Sequence, residues 1–167
     1  MKSISIPISE EIAKNLLPGD RIELSGVIYT GRDAALPKLV DLIKSGRLGE
    51  AGIDLQGSVI FHTAVSPAGV GPTSSNKYDI QSTIPELSKA GVKIHLGKGR
   101  INPQTIAALK ENNSVFAVIP PVTALLESKI SERRVVAFPE EGMEALHELR
   151  VHGFPCIIAA AQGETIY

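Results

Sequence analysis

Residues 102–121, NPQTIAALKENNSVFAVIPP, predict a helix followed directly by a strand. Asn102 is a residue type that caps a helix N-terminus, and Pro103 suits the first helical position, where no backbone N–H is needed. The next segment, SVFAVIPP (114–121), is almost continuously apolar, which is typical of a strand buried on both faces. This succession indicates an α/β fold.

The rest of the chain shows the same alternation of strand and helix patterns. Segments rich in β-branched residues predict strands at 21–30, 57–65, 92–99, 133–139 and 154–161. Apolar residues at helical spacing predict helices at 33–47, 83–91 and 121–128 and a helical turn within 141–149, with Thr83 and Glu86 as a capping pattern. We therefore predict an α/β protein with one domain over residues 1–167.

Composition excludes several classes of protein. With 17 Lys and Arg against 18 Asp and Glu, the net charge of -1 creates no long-range field for nucleic acid or an anionic membrane. The N-terminus has no apolar signal region, and no stretch reaches the roughly 18 apolar residues of a membrane span. The sequence thus predicts a soluble, cytoplasmic protein without a nucleic-acid or membrane partner.

The cysteine and histidine residues indicate packing rather than chemistry. Cys156 is the only cysteine, so this chain contains no intrachain disulfide and no cysteine-based metal site. Its apolar setting favours a core position over a reactive thiol. His62 and His95 lie in apolar strands, where a core histidine is expected, and His147 and His152 lack a metal-ligand spacing. We therefore expect no metal ligands in this chain.

Three polar turns follow apolar strands: YTGRD (29–33), GPTSSNKYD (71–79) and GKGR (97–100). Ligands of α/β proteins bind where loops leave the carboxyl ends of strands, so these turns are expected to converge on a pocket. The glycines would let backbone N–H groups approach an anion. The common glycine-rich nucleotide-binding patterns are absent, which argues against a nucleotide site.

The cations of these turns favour a small di-anion as the ligand. Arg32, Lys77 and Lys98 are the candidate binding residues, and Arg100 is a further one. An arginine can hold a carboxylate with two parallel hydrogen bonds. Two structural alternatives stay open: Arg32 with Asp33 could form a surface pair or a helix cap, and Lys98 could be an ordinary solvated turn lysine.

Four motifs together resemble the iron-sulfur-dependent hydro-lyases of the class I fumarase and L-tartrate dehydratase family. In the order of that family they are SGVIYTGRDAA, GPTSSNKYD, GKG and FPEEGMEALHELRVHGFP. Each motif alone is weak, but four in the same order are specific. The resemblance is to the C-terminal domain, or to the separate beta subunit of split enzymes, and it covers Gly19 to Pro155.

The resemblance implies a fold, a cofactor and a partner. Its fold is a swivelling β/β/α domain with a mixed sheet. The [4Fe-4S] cluster would be bound by a partner alpha subunit and not by this chain, with two alpha and two beta subunits in the assembly. Because the chain starts at Met1 without the larger cluster-binding part, we expect it to be the beta subunit.

The resemblance also assigns site residues. Thr73, the first hydroxyl after Gly-Pro, matches the proposed catalytic base, and Arg32, Lys77 and Lys98 match substrate-binding positions, with Ser74 beside them. Their loop would close over a small dicarboxylate substrate. Proton removal next to a carboxylate creates a carbanion whose extra charge such cations would stabilise.

Two positions depart from the pattern of the family. Lys77 occupies a position where relatives usually have arginine, so the charge is kept but the two-pronged carboxylate grip is lost. Leu36-Pro37 stands where relatives often have histidine. Both differences bear on substrate choice.

The expected function is reversible hydration of fumarate to (S)-malate, as the beta subunit of a hydro-lyase. Dehydration of L-tartrate to oxaloacetate is the first alternative, since the same pocket would accept one more hydroxyl. A non-catalytic small-carboxylate binding module and a purely structural partner subunit are alternatives from other classes.

Overall fold

A computed structural model describes residues 1–66, 69–70, 77–120 and 123–167, with the backbone alone at 77–80 and 123. The strands are β1 (Lys2–Ser5), β2 (Arg21–Thr30), β3 (Val59–Phe61), β4 (Val65–Ser66), β5 (Gly69–Val70), β6 (Ile94–Gly97), β7 (Val115–Val118), β8 (Ile130–Ala137), β9 (Leu146–Ala161) and β10 (Glu164–Thr165). The helices are α1 (Glu10–Lys14), α2 (Leu36–Lys44), α3 (Lys77–Lys89), α4 (Pro103–Glu111) and α5 (Thr123–Ser128). Residues Pro139–Glu144 form 3₁₀ turns interrupted at Gly142.

The main sheet closes on itself through β9. Strands β2, β3, β6 and β7 lie side by side and parallel, in that order. β9 runs antiparallel to β2 and, through its C-terminal part, antiparallel to β7. β1 pairs with the first half of β2, while β8 and β10 pair with β9. The fold is therefore mixed α/β with a small barrel-like sheet, which confirms the predicted class and mixed sheet.

Alternate side chains of the strands point into the barrel and form an apolar core. Ile22, Leu24 and Ile28 of β2 belong to it and are fully buried. Phe61 of β3 packs edge-on against Phe154 of β9, with ring centroids 5.9 Å apart and planes at 63°. Burying a side chain of this size contributes about 1.5–3 kcal/mol. The period-two pattern of these strands thus has a direct energetic cause.

Helices cover the outer faces of the barrel. Leu39 of α2 and Leu87 of α3 pack over Ile60 of β3 in a second apolar cluster. Leu109 of α4 packs in a third cluster with Phe116 of β7. The central strands are consequently buried on both faces, as their continuous apolar sequences indicate. None of the described helices is long and apolar enough to cross a membrane.

Cys156 lies in the barrel core, as the sequence predicted. Its side chain is 2% exposed, and burial raises the pKa of the thiol to about 12. A thiol in this environment stays protonated at neutral pH, so it is a packing residue and a poor nucleophile or metal ligand.

The predicted helix-strand unit at 102–121 is confirmed. The Asn102 side-chain oxygen accepts hydrogen bonds from the Thr105 backbone N at 2.8 Å and from its Oγ1 at 2.7 Å. Pro103 is the first residue of α4. β7 follows, with Val115 and Phe116 buried on its two faces.

The prediction of a helical turn at 141–149 is wrong after Glu144, where the 3₁₀ segment ends. β9 begins at Leu146 and continues to Ala161 as one strand of 16 residues. Its backbone is paired on both edges, since Leu149 lies opposite Ile28 of β2 and Arg133 of β8. These long-range ladders override the local helical spacing of the apolar residues.

The start of α3 also differs from the prediction. The capping pattern placed it at Thr83, but the helix begins at Lys77, so Thr83 lies inside it. Residues 77–79, predicted as the end of the polar loop, are therefore helical. Ile84 and Leu87 are fully buried, and this packing supports a helix that contains Pro85 despite the lost N–H.

Gly57 and Gly52 differ in how closely their surroundings are packed. Both have positive φ, +74° and +71°. A Cβ at Gly57 would lie 2.7 Å from the Ile8 backbone oxygen, whereas a Cβ at Gly52 would meet nothing within 4 Å. We expect Gly52→Ala to lower the free energy of unfolding by about 1 kcal/mol and Gly57→Ala by roughly 3 kcal/mol. Urea unfolding of both variants measures this difference, and equal losses would contradict the close packing.

Candidate functional site

The parallel strands end along one edge of the barrel. Thr30 lies opposite Phe61, Phe61 opposite Leu96, and Leu96 opposite Ala117. The chain leaves this edge through the GRDAA segment, through the residues after β3 and through GKGR. Because carboxyl ends of parallel strands meet at one edge, the GRDAA and GKGR turns leave from the same side of the fold.

The GRD turn is held tightly to the strand edge. The Gly31 N–H donates to the Phe61 carbonyl at 3.0 Å. A Cβ at Gly31 would lie 2.9 Å from a methyl carbon of Leu36, so a larger residue would push α2 away. The Arg32 carbonyl accepts from the Leu36 N–H at 2.9 Å. Arg32 therefore projects from a backbone fixed on both sides.

Arg32 forms an ion pair with Glu144 of the 3₁₀ segment. Its Nε donates to Glu144 Oε1 at 2.9 Å, and the two side chains are 18% and 32% exposed. The interpretation as a helix cap formed with Asp33 is wrong, because α2 is capped at Ala35 without a side-chain hydrogen bond. Arg32 is a half-buried cation with an acidic partner distant in sequence.

A β-hairpin formed by β4 and β5 leads into the polar loop. Val65 pairs with Val70, and both side chains are buried in the barrel core. The 3₁₀ segment that carries Glu144 lies against β4. The hairpin base and the Arg32 turn thus share a neighbour. Thr73 and Ser74 follow Val70 closely but lie outside the described residues, so their assigned roles stay predictions.

The remaining predicted cations lie on α3 and after β6. Lys98 and Arg100 are exposed. Lys77 is the first residue of α3, and the structure describes only the backbone of this residue. Gln81 Oε1 accepts from the Asn102 backbone N–H at 2.6 Å, which ties the first part of α3 to the segment that follows GKGR. This bond brings the backbone of the two cation-bearing segments near each other.

The chain matches the protein family described as Fumarase C-terminus over residues 2–167. It belongs to this family. The recognition made from the four motifs is thereby confirmed.

Relatives of two kinds share this sequence. A "Putative fumarate hydratase class I" of Geobacillus stearothermophilus is 30% identical, over 93% of this chain and 31% of the relative. "Fumarate hydratase class I, anaerobic" of Escherichia coli K12 is 31% identical, over 83% of this chain and 26% of the relative. A "Putative L(+)-tartrate dehydratase subunit beta" of Methanocaldococcus jannaschii is 30% identical, over 96% of this chain and 88% of the relative. The chain thus spans less than a third of these fumarate hydratases but most of the beta subunit.

Glu144 is a charged residue beside Arg32 that the sequence alone does not single out. This residue lies in FPEEGMEAL, a motif used for recognition. An acidic residue after a glycine in a polar turn gives no sign of its partner, because that partner is 112 residues away. The pairing becomes visible once β9 brings the segment beside the end of β2.

The residues that the structure describes form no metal site. Among them, no group of three His, Cys, Asp or Glu side chains is arranged to hold a metal ion. The buried Cys156 offers no thiolate, for the reason given above.

His62 and His95 form a buried polar chain with Ser88 of α3. His62 Nε2 lies 3.2 Å from His95 Nδ1, and His95 Nε2 lies 3.0 Å from Ser88 Oγ of α3. Both rings are buried, which confirms their predicted place in the core. Burial lowers the pKa of His62 to about 4. Burial, with His62 as a second cause, lowers the pKa of His95 well below 6.5.

Both histidines are consequently neutral in the folded protein, and this predicts acid sensitivity. Unfolding lets each take up a proton near pH 6.5, so stability is full above that pH and falls as the pH drops toward 4. We expect a loss of about 3 kcal/mol by pH 4 from His62 alone. Urea unfolding between pH 7.5 and pH 4.5 measures the slope.

A variant without the two buried histidines provides the control for this experiment. A His62→Gln, His95→Gln double variant should flatten the slope between pH 6.5 and 4.5, because it removes both groups whose pKa burial lowers. A flat profile for the unmodified chain would contradict the neutral buried pair.

Proposed function

We propose that this chain is the beta subunit of a [4Fe-4S]-dependent hydro-lyase that reversibly hydrates fumarate to (S)-malate. The observation that carries the proposal is the position of Arg32. This half-buried cation is fixed at the carboxyl edge of the barrel, and its partner Glu144 belongs to the 3₁₀ segment that lies against the hairpin leading into GPTSSNKYD. Family membership along nearly the whole chain supports the reaction class.

The proposed roles follow from the chemistry of a dicarboxylate. Arg32 binds one carboxylate, and Lys77 and Lys98 supply further positive charge. Thr73 takes the proton from the carbon next to a carboxylate, and Ser74 donates a hydrogen bond to the substrate. The carbanion formed in this step carries an extra negative charge, and cations already in place stabilise it more than they stabilise the substrate.

The described residues do not fit a cluster, so we assign the [4Fe-4S] cluster to a partner alpha subunit. Cys156 is 2% exposed and its thiol pKa is raised to about 12, so it cannot serve as a ligand without unfolding the core. This chain then binds the dicarboxylate, neutralises its charge and holds the proton.

The beta-subunit proposal is supported by the coverage of the relatives. The chain spans 88% and 82% of two tartrate dehydratase beta subunits, whose names imply a second subunit. We propose an assembly of two alpha and two beta subunits in the cytoplasm. In it, residues 1–167 act as one swivelling β/β/α domain, and its closure over the dicarboxylate excludes water from the site.

Dehydration of L-tartrate to oxaloacetate is the second candidate. The same coverage favours it, because the two fumarate hydratases are much longer than this chain and the tartrate dehydratase beta subunit is of similar length. Tartrate carries one hydroxyl more than malate. A site that forms a hydrogen bond with this hydroxyl discriminates strongly between the two substrates. Lys77 is a candidate for this discrimination, since an ammonium group and a guanidinium group place their donors differently.

The decisive experiment is to purify the chain without oxygen together with its native partner and to assay fumarate and L-tartrate in parallel. Iron in the partner and turnover of fumarate would support the first proposal. A strong preference for tartrate would replace it with the second. An iron-free chain that binds dicarboxylates without a partner and turns over neither would be a binding module, and both proposals would fail.

Arg32→Ala should lower kcat/KM of the assembled enzyme about 100-fold, because a charge-assisted carboxylate contact contributes about 1.5–3 kcal/mol. Steady-state kinetics on the preferred substrate measures this. Arg134→Ala is the matched control: Arg134 also pairs with a glutamate, Glu148 at 3.3 Å, but on the exposed face of β8. Equal effects of the two substitutions would contradict a substrate-binding role for Arg32.

A further inference from the structure

We infer that Glu144 is a positioning residue that fixes the direction in which Arg32 presents its guanidinium group to the substrate. The inference rests on the proposed role of Arg32 in binding a substrate carboxylate. It adds a residue that does not touch the substrate and acts through its contact with Arg32.

The contact itself defines the orientation. Glu144 Oε1 accepts from Nε of Arg32 at 2.9 Å. The guanidinium group is planar and its donors form a rigid fork. A hydrogen bond at Nε therefore restricts rotation of the group about the Cδ–Nε bond. The terminal nitrogens then point in one direction. An arginine held in this way loses less conformational entropy when it grips a carboxylate.

The backbone that carries Glu144 is itself held in place. Lys38 of α2 makes ion pairs with Glu140 at 3.3 Å and with Glu141 at 2.7 Å. Its Nζ also lies 5.7 Å from the centroid of the Phe138 ring. α2 begins directly after the GRDAA segment, so both ends of the Arg32–Glu144 bond are tied to the same helix.

Residues beside and within the 3₁₀ segment fix its path. Phe138 has a φ of +56° and Gly142 a φ of +62°, and the Ala145 N–H donates to the Gly142 carbonyl at 3.0 Å. Ala145 is 1% exposed. The chain therefore turns sharply and enters the core immediately after Glu144, which leaves its side chain little freedom to move away from Arg32.

The negative charge of Glu144 opposes substrate binding, whereas its hydrogen bond to Arg32 favours it. Variants of Glu144 can therefore distinguish the two effects. A carboxylate beside Arg32 weakens its attraction for a substrate anion. Glu144→Gln keeps an oxygen that accepts from Nε but removes the opposing charge. Glu144→Ala removes both. If Glu144 acts by positioning, glutamine preserves substrate binding and alanine impairs it.

The first test is the kinetics of the complete enzyme with its cluster-bearing partner, on whichever of fumarate and L-tartrate the unmodified enzyme turns over. We expect Glu144→Ala to raise KM about 10-fold, with kcat within about threefold, since it loosens a carboxylate contact and leaves the proton-transfer residues intact. We expect Glu144→Gln to keep KM within about threefold of the unmodified value or to lower it. Glu148→Ala, which removes the partner of Arg134, should change neither constant.

Two kinetic outcomes would overturn the inference. Unchanged KM values in both variants, with a lower unfolding temperature, would mean that the pair is only a brace between the GRD turn and the 3₁₀ segment. A KM raised equally by glutamine and alanine would mean that the charge of Glu144 matters and its geometry does not.

A second measurement does not depend on activity and separates this inference from the proposed function. In ¹⁵N-labelled full-length chain, the side-chain Nε–H signal of Arg32, identified by its loss in Arg32→Lys, should exchange slowly with water. The signal should persist in Glu144→Gln and exchange rapidly in Glu144→Ala. A signal unaffected by alanine overturns the inference. An inactive unmodified enzyme, by contrast, overturns the proposed function.

Discussion

The antiparallel pairing of β9 with both β2 and β7 is the constraint on which the rest of the structure depends. Ile157 lies opposite Arg21 of β2 and Val118 of β7, so one residue of β9 joins the two outer strands of the parallel group. Without this strand the parallel strands would form an open sheet with two unpaired edges. Closure creates the interior that Phe61 and Phe154 fill.

The candidate site follows from this closure. The same strand that closes the barrel starts two residues after Glu144. The ladder between β9 and β2 therefore carries Glu144 to the end of β2, which Arg32 follows by two residues. A half-buried ion pair is favourable only if its geometry is good, because both charges lose contact with water. A rigid barrel edge provides that geometry, and the proposed carboxylate site uses it.

Local sequence patterns predicted the elements whose stability is local. Asn102 and the apolar strand after it were correct because a helix cap involves residues three apart and a doubly buried strand needs only an apolar sequence. The segment at 141–149 was predicted wrongly because its conformation is decided by hydrogen bonds to β2 and β8. The start of α3 was predicted wrongly for a related reason, since Gln81 in the first turns of the helix accepts a hydrogen bond from the Asn102 backbone N–H, 21 residues away in the chain. The glycine turn that carries Arg32 is visible in the sequence, whereas the pairing of Arg32 with Glu144 is not.

The sequence by itself determined the alternation of strands and helices, the burial of Cys156, the order of the polar turns and the family to which the chain belongs. Each of these depends on residues close together in the chain or on motifs read in order. Only the tertiary structure decided that the sheet closes, that Arg32 pairs with Glu144, and that His62, His95 and Ser88 form one buried chain. These contacts join residues brought together by strand pairing, and their energy depends on distances and burial that exist only after the barrel has formed.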